Sequence, residues 1–160
     1  MSPFIFTFPQ ADGSSALPAA DRITQIDRLY GLDLWFDVSV ENVDLLLTPG
    51  GDWQVVRGRE ALRQSLLRRI ITNPGEWATL PDFGVGARLF VKGKNTQARR
   101  DELANRIRAQ FLSDPRVESV AQIVVEALPD NFGIKISVEI VAKGKLEAGG
   151  TLAVQLEVTR

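Results

Sequence analysis

The chain has 160 residues, 19 Lys and Arg against 20 Asp and Glu, a formal net charge of −1, and neither Cys nor His. The length suits one domain with a modest core, and the missing thiols and imidazoles exclude disulfides, thiolate nucleophiles, Ser–His–Asp triads and Cys- or His-ligated metals. The balanced charge offers no general attraction to nucleic acid or to an anionic membrane.

The amino-terminal sequence Met1-Ser2-Pro3-Phe4 lacks the basic start and apolar run of a secretory signal. No apolar stretch approaches the ~20 residues a membrane-spanning helix needs. The expectation is therefore a soluble chain that is not exported by a cleaved signal. Residues 1–20 read as an arm and linker: Phe4, Phe6 and Phe8 alternate as on a short strand with one apolar face, and Pro9 ends the alternation. Such an arm is either a loose terminus or a segment that docks on a neighbouring chain.

Residues 21–57 read as an extension with short elements. Asp21 can cap a helix carrying Ile23, Ile26 and Tyr30, with Gly31 as its stop. Leu32 to Asp37 has strand composition, Val43 to Leu47 is a second candidate, and the Pro49-Gly50-Gly51-Asp52 turn leads into Trp53 to Val56. From Gly58 to Thr72, Leu62, Leu66, Leu67, Ile70 and Ile71 recur at helical spacing. Arg59, Arg63, Arg68 and Arg69 lie largely off that stripe and read as a solvated face. Asn73-Pro74-Gly75-Glu76 stops the helix. In the loop Leu80 to Gly86, Gly84 and Gly86 permit a tight backbone path; the spacing is not that of a phosphate loop.

A second helix spans about Thr96 to Leu112, with Leu103, Ile107 and Phe111 as its apolar stripe and Glu102 four residues ahead of Arg106. Then come three candidate strands: Val117 to Leu128, closed by Pro129-Asp130-Asn131; residues 134–143; and residues 151–159. The last two alternate strictly, Ile134, Ile136, Val138 and Ile140 against Leu152, Val154, Leu156 and Val158. Period two implies one buried face. The expected fold is α+β: a small antiparallel sheet, a C-terminal three-strand meander, packed by two amphipathic helices and preceded by an N-terminal extension.

Chemistry is thinly represented. Glu76, Asp82, Asp101, Asp114 and Glu118 supply loop carboxylates, but none has the context of a glycosidase acid. Trp35, Trp53 and Trp77 suit burial or an interface better than a sugar site. No catalytic, cofactor-binding or metal residue is expected. Asp114-Pro115-Arg116 differs in kind: Pro115 fixes the backbone where the helix ends, so Arg116 is held at a defined corner with Asp114 as a local orienter. The corner is either an internal ion pair or a contact for a partner.

The order helix, Thr72-Asn73-Pro74-Gly75-Glu76, Pro81-Asp82-Phe83-Gly84, helix, Asp114-Pro115-Arg116-Val117 and strands resembles the baseplate wedge and sheath-initiator family of contractile phage tails, type six secretion systems and contractile injection particles. That family also carries a lysozyme-like label. The resemblance covers about residues 44–160. Its acidic-Pro-Arg motif usually begins with Glu, where this chain has the shorter Asp114.

The resemblance implies a structural, non-enzymatic baseplate component that links the wedge to the first sheath ring and templates the sheath by strand addition. Its implied partners are larger wedge proteins through Asp114, Pro115 and Arg116, and the sheath subunit through a strand edge marked by Ser137, Glu139, Gln155 and Glu157. Neighbouring chains are reached through the arm at Phe4, Phe6 and Phe8. Six copies per baseplate and assembly in the bacterial cytoplasm are implied; nucleic acid, membrane and cofactors are not. The alternatives are a peptidoglycan-cleaving lysozyme-like enzyme and an unrelated oligomeric adaptor. The division expected is 1–20 arm, 21–57 extension and 58–160 sheath-initiator-like domain.

Overall fold

Arg57 ends a strand and Gly58, at φ 57°, starts a helix without a break in the chain. A computed structural model describes residues 29–37, 44–45, 47–92, 94–129, 132–144 and 151–159. The chain divides into two units, residues 1–61 and 62–160.

In the first unit, β1 (Leu32–Leu34) pairs antiparallel with β4 (Val55–Arg57), and β2 (Phe36–Asp37) pairs antiparallel with β3 (Asp44–Leu45). The single strand expected over Leu32 to Asp37 is thus split at Trp35, whose N–H donates to Gln54 O at 2.7 Å. The two halves serve different partners, and composition does not reveal such a division. A bridge between Leu47 and Trp53 closes the turn between them, where Thr48 N–H donates to Asp52 O and Gly51, at φ 86°, gives the left-handed step. Tyr30, Phe36, Val56 and Ala61 are buried. Of the helix expected before Gly31, only Leu29 and Tyr30 lie within the described residues, and both are helical.

The second unit holds most of α1 (Gly58–Ile71), then α2 (Ala87–Val91), α3 (Gln97–Leu112) and strands β5 (Val117–Ala127), β6 (Gly133–Ala142) and β7 (Thr151–Thr159). Leu62, Leu66, Leu67 and Ile70 of α1 are buried, as their spacing requires. Thr96 caps α3, its hydroxyl accepting from Arg99 N–H at 3.4 Å. Leu103, Ile107 and Phe111 form its fully buried stripe, and Glu102 pairs with Arg106 at 2.7 Å on the exposed side. The five-residue α2 carries no sequence signal beyond Gly86 before it; it is too short for a period to emerge.

The sheet order is β5-β6-β7, antiparallel throughout. Ile134, Ile136, Val138 and Ile140 of β6 and Leu152, Val154 and Val158 of β7 are buried on one face. α3 packs against β5 and α2 against β7. The molecule is α+β, with the C-terminal meander as expected. Each fully buried aliphatic side chain, such as Ile136 or Ile140, contributes roughly 1.5–3 kcal/mol by leaving water.

The two sheet margins differ. β7 pairs with β6 in unbroken register from Thr151↔Val141 to Thr159↔Gly133. β5 slips register twice, between Val117 and Ser119 and between Val120 and Gln122. Each slip is a bulge that bends and twists the strand.

Candidate protein-interaction site

The corner after α3 is built by the helix ending itself. Asp114 N–H donates to Phe111 O at 3.1 Å, Pro115 cannot extend the helix, and Val117 N–H donates to Asp114 O at 3.0 Å as β5 begins. Asp114 is only 1% exposed. Arg116 meets it in a fork: Nε donates to Oδ1 at 2.9 Å and Nη2 to Oδ2 at 2.8 Å, while the Arg116 backbone N–H adds a third bond to Oδ1 at 3.0 Å. Arg69 Nη2, from α1, donates to Oδ2 at 3.2 Å. Arg116 Nη2 also donates to Ser65 Oγ at 2.8 Å, tying the corner to α1.

Burial pushes the Asp114 carboxyl upward, but side-chain and backbone hydrogen bonds from Arg116 and the charges of Arg116 and Arg69 outweigh it. The group therefore sits below the usual carboxylate range. Asp114 is a buried anion at neutral pH, and it orients Arg116. The Arg116 side chain keeps 25% of its surface accessible. The internal ion pair, one of the two readings of the corner, is formed: the buried carboxylate holds the guanidinium and keeps most of the side chain covered.

Arg69 is the residue that sequence reasoning misplaced. Expected on a solvated face, its side chain is 14% exposed. Its Nη1 donates to Ser113 Oγ at 3.1 Å, and its guanidinium lies 4.8 Å from the centroid of Phe83. Phe83 in turn stacks on Trp77, with centroids 5.1 Å apart. Asp114 is 45 positions from Arg69 in the chain, so no local pattern signals the pair.

The loop between α1 and α2 is anchored at both ends. Gln110 Nε2 donates to Asp82 O at 2.6 Å, and Gln110 Oε1 accepts from Gly84 N–H at 3.2 Å. Val85 N–H donates to Arg69 O and Gly86 N–H to Thr72 O, both at 2.8 Å. Gly84 sits at φ 104°, and a Cβ there would lie 2.4 Å from Thr72 O, which accounts for the glycine in the loop.

The other expected contact residues fall in two places. Ser137 and Glu139 lie on β6, which is paired on both sides. Their assignment to a strand edge is corrected: alternation identifies a strand but not its place in the sheet order. Gln155 and Glu157 lie on β7, at the margin. Ser137, Glu139 and Gln155 share the outer sheet face and line a shallow depression with Gln122, Val124 and Ala153. Phe4, Phe6 and Phe8 are outside the described residues. Among the described residues, no group of three or more carboxylates is placed to hold a metal, and no helix is long and apolar enough to cross a membrane.

The model of one protein family, contractile injection system sheath initiators, matches residues 33–144, well over half of the chain. The chain belongs to this family. Membership gives it a structural role in a contractile injection system. A crystal structure from Geobacter sulfurreducens, of a protein provisionally named a tail lysozyme, shares the fold: 15% identity, TM-score 0.53, over 72% of this chain and 96% of that one. The cryo-electron microscopy structure of the sixfold-symmetrised anti-feeding prophage baseplate also matches, at 20% identity and TM-score 0.47, over 80% of this chain and 86% of that chain. Searching curated proteins yields no significant match.

Proposed function

We propose that this chain is a non-enzymatic baseplate component that links the wedge to the first sheath ring and templates that ring by strand addition along β7. A sheath initiator has to stand where the sheath begins, which is the baseplate. The observation that carries the templating step is the contrast between the two sheet margins. β7 has nine residues, no Pro, and unbroken register with β6. The β5 margin is bulged twice, and Arg108 Nη1 occupies the Val120 carbonyl at 3.3 Å. Bulges and side-chain capping blunt an edge against pairing, whereas a regular margin offers alternate N–H and C=O groups to an incoming strand.

The wedge contact falls to the corner at Pro115 and Arg116, with Asp114 holding the guanidinium from inside. The arm at Phe4, Phe6 and Phe8 is assigned to neighbouring chains, six copies surround the axis, and assembly takes place in the bacterial cytoplasm. Asp114 itself does not suit the acid role of a lysozyme-like reaction. The retaining or inverting pair needs one carboxylic acid kept protonated by its surroundings, and the buried carboxyl here is driven the opposite way.

The test is a strain whose injection-system genes lack only this chain. Electron micrographs are expected to show baseplates and tubes without sheath, restored by the wild-type chain. Normal sheaths in its absence would contradict the reading. Rapid clearing of purified cell walls by the protein, lost on a carboxylate substitution, would favour the enzyme instead.

A further inference from the structure

We propose that the strand added along β7 carries a basic side chain opposite Glu157 and, beside it in the chain, an apolar side chain opposite Leu156. The inference rests on the strand-addition reading and names the chemistry that the incoming strand brings. On the outer sheet face Glu126, Lys135 and Glu157 stand directly opposite one another, one from each strand. The row alternates in sign, negative, positive, negative, and it ends on a carboxylate at the margin. Opposite charges facing each other across a strand pair stabilise it and like charges destabilise it, so the next place in the row favours a cation. Glu157 has room for one. Its Oε1 lies 3.7 Å from Lys135 Nζ, its side chain is 43% exposed, and a carboxylate offers about four acceptor sites.

The inner face sets the second requirement. Leu152, Val154 and Val158 of β7 are buried, yet Leu156 is only half-buried. It stands opposite Ile136, which is fully buried. A strand beside β7 extends this inner row, and an apolar side chain there removes the remaining Leu156 surface from water. Successive residues of a strand point to opposite faces, so the places opposite Leu156 and Glu157 are consecutive whichever way the strand runs. The same pair fixes the register. The other outward-facing residues of β7, Thr151, Ala153, Gln155 and Thr159, carry no charge. A slip of two residues sets the cation against a neutral side chain, and a slip of one turns it to the inner face.

Baseplates from cells lacking this chain, reloaded with purified variants and mixed with purified sheath subunit of the same system, provide the test. The quantity read is the subunit concentration at which half of the baseplates carry sheath in electron micrographs. Glu157→Lys is expected to raise it by roughly three- to thirtyfold and Glu157→Gln by less, and added salt should narrow the difference between wild type and Glu157→Gln. A Leu156→Ala variant shown to be folded by circular dichroism should raise it too; an unchanged value would overturn the apolar half of the proposal. Glu157→Lys also removes the ion pair with Lys135. The triple variant Glu126→Lys, Lys135→Glu, Glu157→Lys therefore keeps the alternation within the chain and reverses the sign at the margin. It should melt like wild type and nucleate sheath as poorly as Glu157→Lys. Wild-type nucleation by the folded triple variant, with nucleation lost in a folded Pro variant of β7, would overturn the charge pairing and leave strand addition standing. Wild-type nucleation by the folded Pro variants as well would overturn both.

Discussion

Asp114 couples the helix end to the strand start through charge, and its removal leaves two guanidinium groups without their anion. Asp114→Asn is expected to destabilise the protein at pH 7 by about 3–5 kcal/mol, the usual cost of breaking a buried ion pair from one side. Because the carboxyl lies below its ordinary value in the folded state, its stabilising contribution is fully present above the unfolded value near ~3.9 and is lost as pH falls through the lower folded value. The gap between wild type and Asp114→Asn in denaturant melts should therefore be constant from pH 6 to 8 and shrink toward pH 3. A gap independent of pH down to 3 would show that the carboxylate is not the source.

Arg116→Ala leaves Asp114 the Arg69 guanidinium and the backbone N–H of residue 116, and should cost less, about 1–3 kcal/mol. This exceeds the value for a solvent-exposed pair, because one end of the bond is buried. Gly84→Ala tests the loop anchor: its φ of 104° and the 2.4 Å approach to Thr72 O predict a loss of about 1–3 kcal/mol from strain alone. An unchanged melting temperature would contradict the close approach.

At the scale of elements, substitution by Pro distinguishes a central strand from a marginal one. In β6 every backbone N–H faces one paired neighbour or the other, so Ser137→Pro and Glu139→Pro should unfold the sheet. In β7 successive N–H groups alternate between β6 and the margin. Pro placed at successive positions from Ala153 to Glu157 should alternate between disruptive and tolerated, and the tolerated variants should form baseplates without sheath. Uniform tolerance across both strands, read by circular dichroism, would contradict the sheet order.

The strands themselves were legible in the sequence, since a period of two over Ile134 to Ile140 and Leu152 to Val158 has no helical reading. Their order was not, because pairing partners are chosen by tertiary packing rather than by period. The stripe of α3 and the stop at Pro74 were legible for the same local reasons. The paired elements β1 to β4 were only partly so: strands of two or three residues carry too few positions to show alternation. The corner motif was visible as residues, but Arg69 and Gln110, which connect it to the loop, were invisible because their partners lie 14 to 45 positions away.

At the scale of the whole molecule, the proposed function gives the alternating Phe4, Phe6 and Phe8 to neighbouring chains and the margin of β7 to the sheath. Deleting residues 1–10 is expected to leave the melting temperature within a few degrees of wild type, as it would for an arm that docks on a neighbouring chain and not on its own core. Yield of intact particles should fall, measured by complementation of a strain lacking the chain. A large loss of stability would instead place those rings in this chain's own core.

The most direct measurement is a reconstruction of the intact injection particle at side-chain resolution. The account predicts this chain at the junction of baseplate and sheath, with a strand from a sheath subunit of the first ring hydrogen-bonded along the outer margin of β7. A chain found elsewhere in the particle, or a β7 margin facing solvent while the sheath contacts another surface, would contradict it.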